Sequence, residues 1–292
     1  MAAETPFRRL LRQYCENPIA VVGAVILVIV ISLAALSPWI APQNPYDISQ
    51  LDILESRLPP GSLSSSEGVY WLGTDDQGRD ILSAILYGLR TSLLVGAISA
   101  GLALVLGTVL GIAAAFFGGI IETIVVALVD IQLSFPAILI ALILIAMLGP
   151  GVDKVILALV AVQWAFYART IRASALVERR KEYIEAARCL CLPTSSLLFR
   201  HLMPNCLPPL IIVASVQIAR AIGLEATLSF LGLGLPITKP SLGLLIANGF
   251  TYLMSGKYWI SVFPGMALVI AIVAINLVGD QLRDVLNPRN QK

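Results

Sequence analysis

Charge is what this sequence has least of. Only 13% of its 292 residues are Asp, Glu, Lys or Arg and 58% are hydrophobic, where soluble domains carry roughly 25% charged residues. That excludes a soluble globular chain. Histidine occurs once, as His201, so no imidazole pair can hold a metal and no Ser/His/Asp set can form at usable spacing. Cysteine is nearly as scarce. Cys15, Cys189, Cys191 and Cys206 include a C-x-C, which is the spacing of neither a redox nor a zinc motif. No structural disulfide is expected, because all four fall on the side assigned below to the reducing cytoplasm. A phosphate-binding P-loop is missing too: ahead of Gly256-Lys257, Thr251 stands where the first Gly is needed, and Tyr258 follows the Lys. The chain also lacks an internal repeat, a long low-complexity tract and a signal-peptide cleavage pattern, so its first apolar segment is expected to stay. The reading therefore assigns no catalytic residue, no metal site and no cofactor to this chain. A net charge of +2 gives no reason to expect nucleic acid.

What is present is a series of apolar runs long enough to cross a bilayer, which takes about 20 residues each. The first runs from about Ile19 to Ile40, with Pro38, Trp39 and Pro42 at its far interface. The second covers about Ser92 to Phe117 and contains Gly107-x-x-x-Gly111, a pattern for close helix packing. The third, Ile120 to Leu148, is too long for one straight crossing, and Pro136 can kink it. The fourth starts near Val155 and merges into a basic loop around Arg169; the fifth begins at Pro208; the sixth is about Tyr258 to Val278. The expected fold is all-α and polytopic with six transmembrane helices: a tail over residues 1–18 and a membrane domain over 19–292, the latter with a long polar loop at 41–90 and a basic loop at 169–205.

Ionisable groups inside apolar spans are candidates for a translocation path. Asp130, Arg220 and Glu225 qualify. For Asp130 the alternative is a solvated place near the headgroups. Arg220 and Glu225 are five apart, which suits neither helical pairing distance, so each is expected to meet a partner elsewhere.

The basic loop is the most informative stretch. Arg179-Arg180-Lys181-Glu182-Tyr183-Ile184-Glu185-Ala186-Ala187-Arg188-Cys189 has no helix breaker and is expected to be helical. Pro193 suits the start of a second short helix, which Pro204 and Asn205 would end. The order Glu185-Ala186-Ala187, followed downstream by His201-Leu202-Met203-Pro204-Asn205, resembles the EAA loop of the membrane subunits of binding-protein-dependent ABC importers. The family pattern has Gly where this chain has Cys191. If that position is left-handed, a non-Gly residue costs roughly 1 kcal/mol there. In the long loop, Thr74 with Gln77 reads as a capping box opening a helix, with Asp75 and Asp76 suiting its N-terminus. The string Gly73-Thr74-Asp75…Gly78-Arg79-Asp80 also resembles a segment of the dipeptide, oligopeptide and nickel importer subfamily. So do Leu228-Ser229-Phe230-Leu231-Gly232-Leu233-Gly234 and the closing Gly279-Asp280-Gln281-Leu282-Arg283-Asp284 with Asn287-Pro288-Arg289.

That resemblance, which covers the chain from about residue 20 onward, implies the type I ABC importer permease fold. It implies a homologous second permease subunit, two cytoplasmic ATPase subunits that hold ATP and Mg²⁺, an extracytoplasmic substrate-binding protein, and membrane lipid as surroundings. It assigns ATPase coupling to Glu185, Ala186, Ala187, Arg188 and the residue at Cys191. Peptide, nickel, glutathione and opine importers share the scaffold. A self-sufficient secondary transporter is the competing reading, but it would want inverted repeats and paired broken helices, and neither shows in the sequence. Orientation follows from Lys and Arg: with the N-terminus inside, thirteen lie in inner segments and six in outer ones. Both termini and the 169–205 loop are thus expected in the cytoplasm of a bacterial inner-membrane protein.

Overall fold

The computed structural model describes residues 12–47, 51–64, 68–236 and 238–286. The tail cations Arg8 and Arg9 and the closing Asn287-Pro288-Arg289 lie outside them. Helix α1, Pro18–Ala35, opens on Asn17, whose side chain accepts from the Ile19 amide at 3.1 Å, with Pro18 in the first turn. One further turn, α2 (Ser37–Ile40), carries Pro38. A loop with a two-stranded hairpin, β1 (Ser62–Leu63) against β2 (Val69–Tyr70), then leads to α3, Ile81–Phe117.

Helix α3 begins eleven residues before the apolar run expected from the sequence, and its cap is Asp80, not Thr74. The Asp80 carboxylate accepts from the Ser83 amide at 2.8 Å and from the Ser83 hydroxyl at 2.6 Å. Thr74 instead ties loop to loop: its hydroxyl donates to the Glu55 carbonyl at 2.6 Å and accepts from the Leu58 amide at 2.8 Å. Asp75 accepts from the amides of Gln77 and Arg79, and its other oxygen meets the buried Arg79 Nε at 2.6 Å. Gly78, at φ +76°, passes so close to the Asp52 carbonyl that a Cβ would lie 2.1 Å from it. The string read as a helix start is therefore a knot of loop that fastens residues 52–58 over the mouth of α3. Its competitor, the side-chain-to-backbone turn, outbid the capping box.

The GxxxG pattern does what its spacing predicts. A Cβ on Gly107 would sit 2.4 Å from the Trp164 carbonyl, and one on Gly111 2.3 Å from Ile171 Cγ2, so α3 lies directly on α6 (Val152–Glu178). That helix runs well past Arg169, where the sequence suggested a loop. Arg169 and Arg172 stay on the helix because acids face them from the preceding span, Asp130 at 2.6 Å and Glu122 at 2.5 Å.

The preceding span is broken, not merely kinked: α4 (Gly119–Ser134) and α5 (Ala137–Leu148) meet at 94°. Phe135 is extended, as a residue before proline must be. The pair is nevertheless one crossing. Glu122 near its start holds Arg172, near the C-terminal end of α6. Its other end joins the N-terminus of α6 through Gly149-Pro150-Gly151 alone. At about 1.5 Å per residue α6 is about 40 Å long, so the ends of the pair lie on opposite faces.

After a short helix α7, Glu182–Cys189, the chain is helical without interruption from Thr194 to Phe230, the final part being α8, Met203–Phe230. The expected stop at Pro204 and Asn205 does not occur. A π-turn over Leu197–Leu202, in which the Met203 amide reaches back to the Leu198 carbonyl, widens the backbone just ahead of Pro204. Pro204, which has no N–H to donate, follows directly on this widened turn. Helix α9, Leu242–Phe250, was not legible in the sequence. At nine residues it is too short to cross, and it packs through Gly243 on Ala226 and Gly249 on Ile260. Helix α10, Trp259–Leu286, closes the bundle. Counting the broken pair once, the described residues supply six crossings of the membrane.

Candidate functional site

The basic run between α6 and α8 folds into a small knob. Its anchor is Glu178, the buried last residue of α6. The Glu178 carboxylate receives Lys181 Nζ at 2.7 Å and the Tyr183 hydroxyl at 3.1 Å, and the Tyr183 oxygen accepts from Asn205 Nδ2 at 3.1 Å. One carboxylate thus joins α6, α7 and the start of α8. Desolvation and that hydrogen bond to Glu178 push the Tyr183 phenol up to about 12, so it remains a donor at any physiological pH. Arg179 adds a second tether, donating from Nη1 to the Ala115 carbonyl near the end of α3.

Helix α7 carries Glu182 and Glu185 in its first turn and Arg188 in its last, the arrangement its dipole favours. Ile184 and Ala187, three apart, are the two buried residues, and they pack on Leu197 and Leu192. The other face is exposed: Glu182, Glu185, Ala186, Cys189 and Leu190, the last with 75% of its surface free. The two alanines therefore differ in duty. Ala186 faces outward, whereas Ala187 belongs to the knob's own core.

Cys191 takes the left-handed conformation, φ +55°. The Leu192 amide reaches the Ala187 carbonyl at 3.2 Å, and the Cys191 amide reaches the Arg188 carbonyl at 2.9 Å. This is the paired closure that usually recruits glycine.

The three ionisable residues singled out in the spans do not converge. Asp130 is exposed and paired with Arg169. Arg220 lies with its guanidinium 5.4 Å from the centroid of the Phe166 ring. Glu225 is wholly buried and accepts from the hydroxyls of Ser92 on α3 and Ser229 on α8, both at 2.8 Å. Arg220 and Glu225 do not pair with one another, as their spacing predicted. Sequence reasoning missed Glu178, although a carboxylate directly before three cations was a visible signal. It also missed Ser92, for which no signal existed, and the buried amides Gln163 and Gln217, which stood out only as polar residues in apolar runs. Among the described residues no group of three or more His, Cys, Asp or Glu gathers to hold a metal.

Comparison with known proteins bears on the same region. The family described as binding-protein-dependent transport system inner membrane component matches residues 107–292, which include the knob. The N-terminal TM domain of oligopeptide transport permease C matches residues 5–60. A putative peptide transport system permease protein of Brucella suis is 41% identical over 97% of this chain and 90% of its own length. The dipeptide transport system permease protein DppC of Haemophilus influenzae is 35% identical over 99% of this chain and 96% of its own. The protein of that name from Escherichia coli is 39% identical over 98% and 94%. Among solved structures, the MetNI methionine ABC transporter in an inward-facing conformation superposes with a TM-score of 0.57 at 23% identity, covering 71% of this chain and 98% of that one. This last likeness speaks for the fold.

Proposed function

The chain belongs to the family of binding-protein-dependent transport system inner membrane components, and from that premise we propose that it is one of two permease subunits of an ATP-driven importer of dipeptides or oligopeptides. The observation that carries the substrate class is the near full-length identity with permeases named for peptide and dipeptide transport. The partners are a homologous permease, two cytoplasmic ATPases that hold ATP and Mg²⁺, and an extracytoplasmic binding protein that delivers the peptide. This subunit has no ATPase site of its own. Residues 1–18 and the knob lie in the cytoplasm, a reading that the Lys and Arg distribution supports, and residues 19–292 make the permease domain.

In this reading Glu185, Ala186, Arg188 and Leu190 present the knob to a groove on one ATPase, while Ala187 and Cys191 hold its shape. Closure of the ATPases on ATP pulls the knob. Glu178, Arg179 and the unbroken helix from Thr194 to Phe230 transmit the pull to the spans, because Glu178 ties the end of α6 to α7, Arg179 ties the knob to α3, and the helix runs from the knob into the bundle. Driving a two-state bundle from 1:99 to 99:1 takes about 5.5 kcal/mol of differential binding, which a packed helix pair can supply.

The test is reconstitution of the complex in proteoliposomes. Peptide-loaded binding protein is expected to stimulate ATP hydrolysis and peptide uptake together. Uptake by the permeases without any ATPase would instead establish a secondary transporter.

A further inference from the structure

The crossings differ in what they show to their surroundings. The exposed side chains of α3 include Leu94, Ile98 and Leu102, and those of α10 include Val262, Met266 and Val269. Helix α8 is different. Between Ile211 and Phe230 only two of its residues are exposed, and both are polar, Arg220 and Thr227. They stand two turns apart and so share one face, and Gly223 between them adds no side chain.

That face lies at hydrocarbon depth. Glu225 bonds Ser92, at the start of the apolar part of α3. Arg220 is five residues nearer the knob along α8, about 7.5 Å at the helical rise. Met203, where α8 leaves the knob, is about 25 Å further on, in a bilayer core about 30 Å thick. An arginine so placed faces a water-filled cavity or other protein, not lipid. In an importer built from two homologous permeases the path runs between them, and a polar strip on an otherwise closed helix suits its wall.

Arg220 is also held in position. Its guanidinium lies over the Phe166 ring of α6, and Nη1 is 3.5 Å from Oε1 of the buried Gln217. Both holders are neutral. Among the described residues no carboxylate pairs with Arg220, so its charge is left for something outside this chain.

We propose that Arg220 receives the C-terminal carboxylate of the peptide as it passes. The inference rests on the peptide-importer reading above. Peptides of differing sequence share two charges, a terminal ammonium and a terminal carboxylate, and only the second attracts a cation. A guanidinium presents a planar fork that matches two carboxylate oxygens at once. Phe166 and Gln217 act as positioning residues. They fix the fork before the peptide arrives, which leaves less ordering to be done on contact.

The test illuminates the complete importer in proteoliposomes, with binding protein and ATP, in the presence of either of two photoreactive dipeptides. Alanyl-photoleucine carries its diazirine on the C-terminal residue, photoleucyl-alanine on the N-terminal one. Label on α8 around Arg220, located by mass spectrometry, is expected to be several-fold greater from the first. Arg220→Gln should bring the two to parity and lower ATP-driven uptake of alanyl-alanine several-fold, whereas Arg220→Lys should keep most of both. Uptake without label on α8, equal label from the two probes in the wild type, or a preference unchanged in Arg220→Gln would overturn the site. So would an Arg220→Cys variant, in a chain without its native cysteines, that no small water-soluble thiol reagent reaches from either side. That result would place the residue in a seam against the second permease. ATP-dependent uptake by the wild type upholds the importer reading whatever the labelling shows; a wild type that carries no peptide removes both.

Discussion

At the scale of single residues, Cys191 is the most informative departure from pattern. Its φ of +55° puts a Cβ where left-handed backbone tolerates one poorly. The two amide bonds that close the knob still hold it there. Cys191→Gly should therefore stabilise the knob by roughly 1 kcal/mol, read as slower amide exchange at Leu190 and Leu192, with ATPase coupling intact. Asp76 offers a second residue-scale prediction. Desolvation, then the neighbouring Asp75 carboxylate, push its pKa upward, and one of its oxygens is buried without a partner. A carboxyl raised in the folded state contributes stability below the ordinary carboxylate range and loses it as pH rises through the folded value. At neutral pH its charge works against the loop. Asp76→Asn should raise the melting temperature at pH 7 and leave it nearly unchanged near pH 4; equal gains at both would locate the effect elsewhere. Glu225 is a third case. Glu225→Gln retains an acceptor for Ser92 or Ser229 and should fold normally. Glu225→Leu leaves both buried hydroxyls without their partner and should cost about 1–3 kcal/mol, visible as a lower melting temperature in detergent.

Among elements, the knob separates docking from folding, and the separation can be tested on adjacent residues. Ala187 is 5% exposed among Ile184, Leu192 and Leu197. Ala187→Asp buries an unpaired charge in that cluster, at a cost of several kcal/mol, and should lose coupling because the knob no longer forms. Ala186 touches none of that core. Ala186→Asp should insert, pair with the second permease and melt normally, yet fail to retain the ATPase in a pull-down. If it retains the ATPase fully, the exposed face of α7 is not the docking surface. The helical character of 182–189 was legible from residue order, because it is set by local sequence; the left-handed backbone at Cys191 was foreshadowed only by the Gly that the family pattern has at that position. The run of helix through Pro204, Pro208 and Pro209 was not. A proline reads as a stop unless the backbone ahead of it has already been widened, and the π-turn that does so has no composition of its own. The loop knot at 73–80 failed to show for a related reason. Thr74, Asp75 and Gln77 have the same side chains whether they cap a helix or bind loop amides, and the choice is made by contacts with Glu55 and Leu58, some sixteen to nineteen residues away.

For the whole molecule, the open question is which face each loop occupies, and the broken third crossing decides it. If α4 and α5 were a re-entrant hairpin, the protein would cross five times and its termini would lie on opposite sides. As one bent crossing the count is six and both termini share a side. The apolar runs alone could not distinguish these, since the third run is long enough for either. The ion pairs Glu122–Arg172 and Asp130–Arg169 do distinguish them: they lay α4 along the knob-side half of α6, while α5 carries the chain on to the other end of that helix. With native cysteines replaced by serine, Ile120→Cys should be reached by a membrane-impermeant maleimide only from the cytoplasm, like a thiol restored at Cys189. Asp153→Cys and Leu54→Cys should be reached only from outside. Labelling of Ile120→Cys and Asp153→Cys from the same side would leave the bent pair as a hairpin. Labelling of Leu54→Cys from the cytoplasm would reverse the orientation and remove the knob from any ATPase. Since the coupling mechanism needs the knob and the ATPases on one side, this labelling pattern tests the functional reading before any transport assay is run.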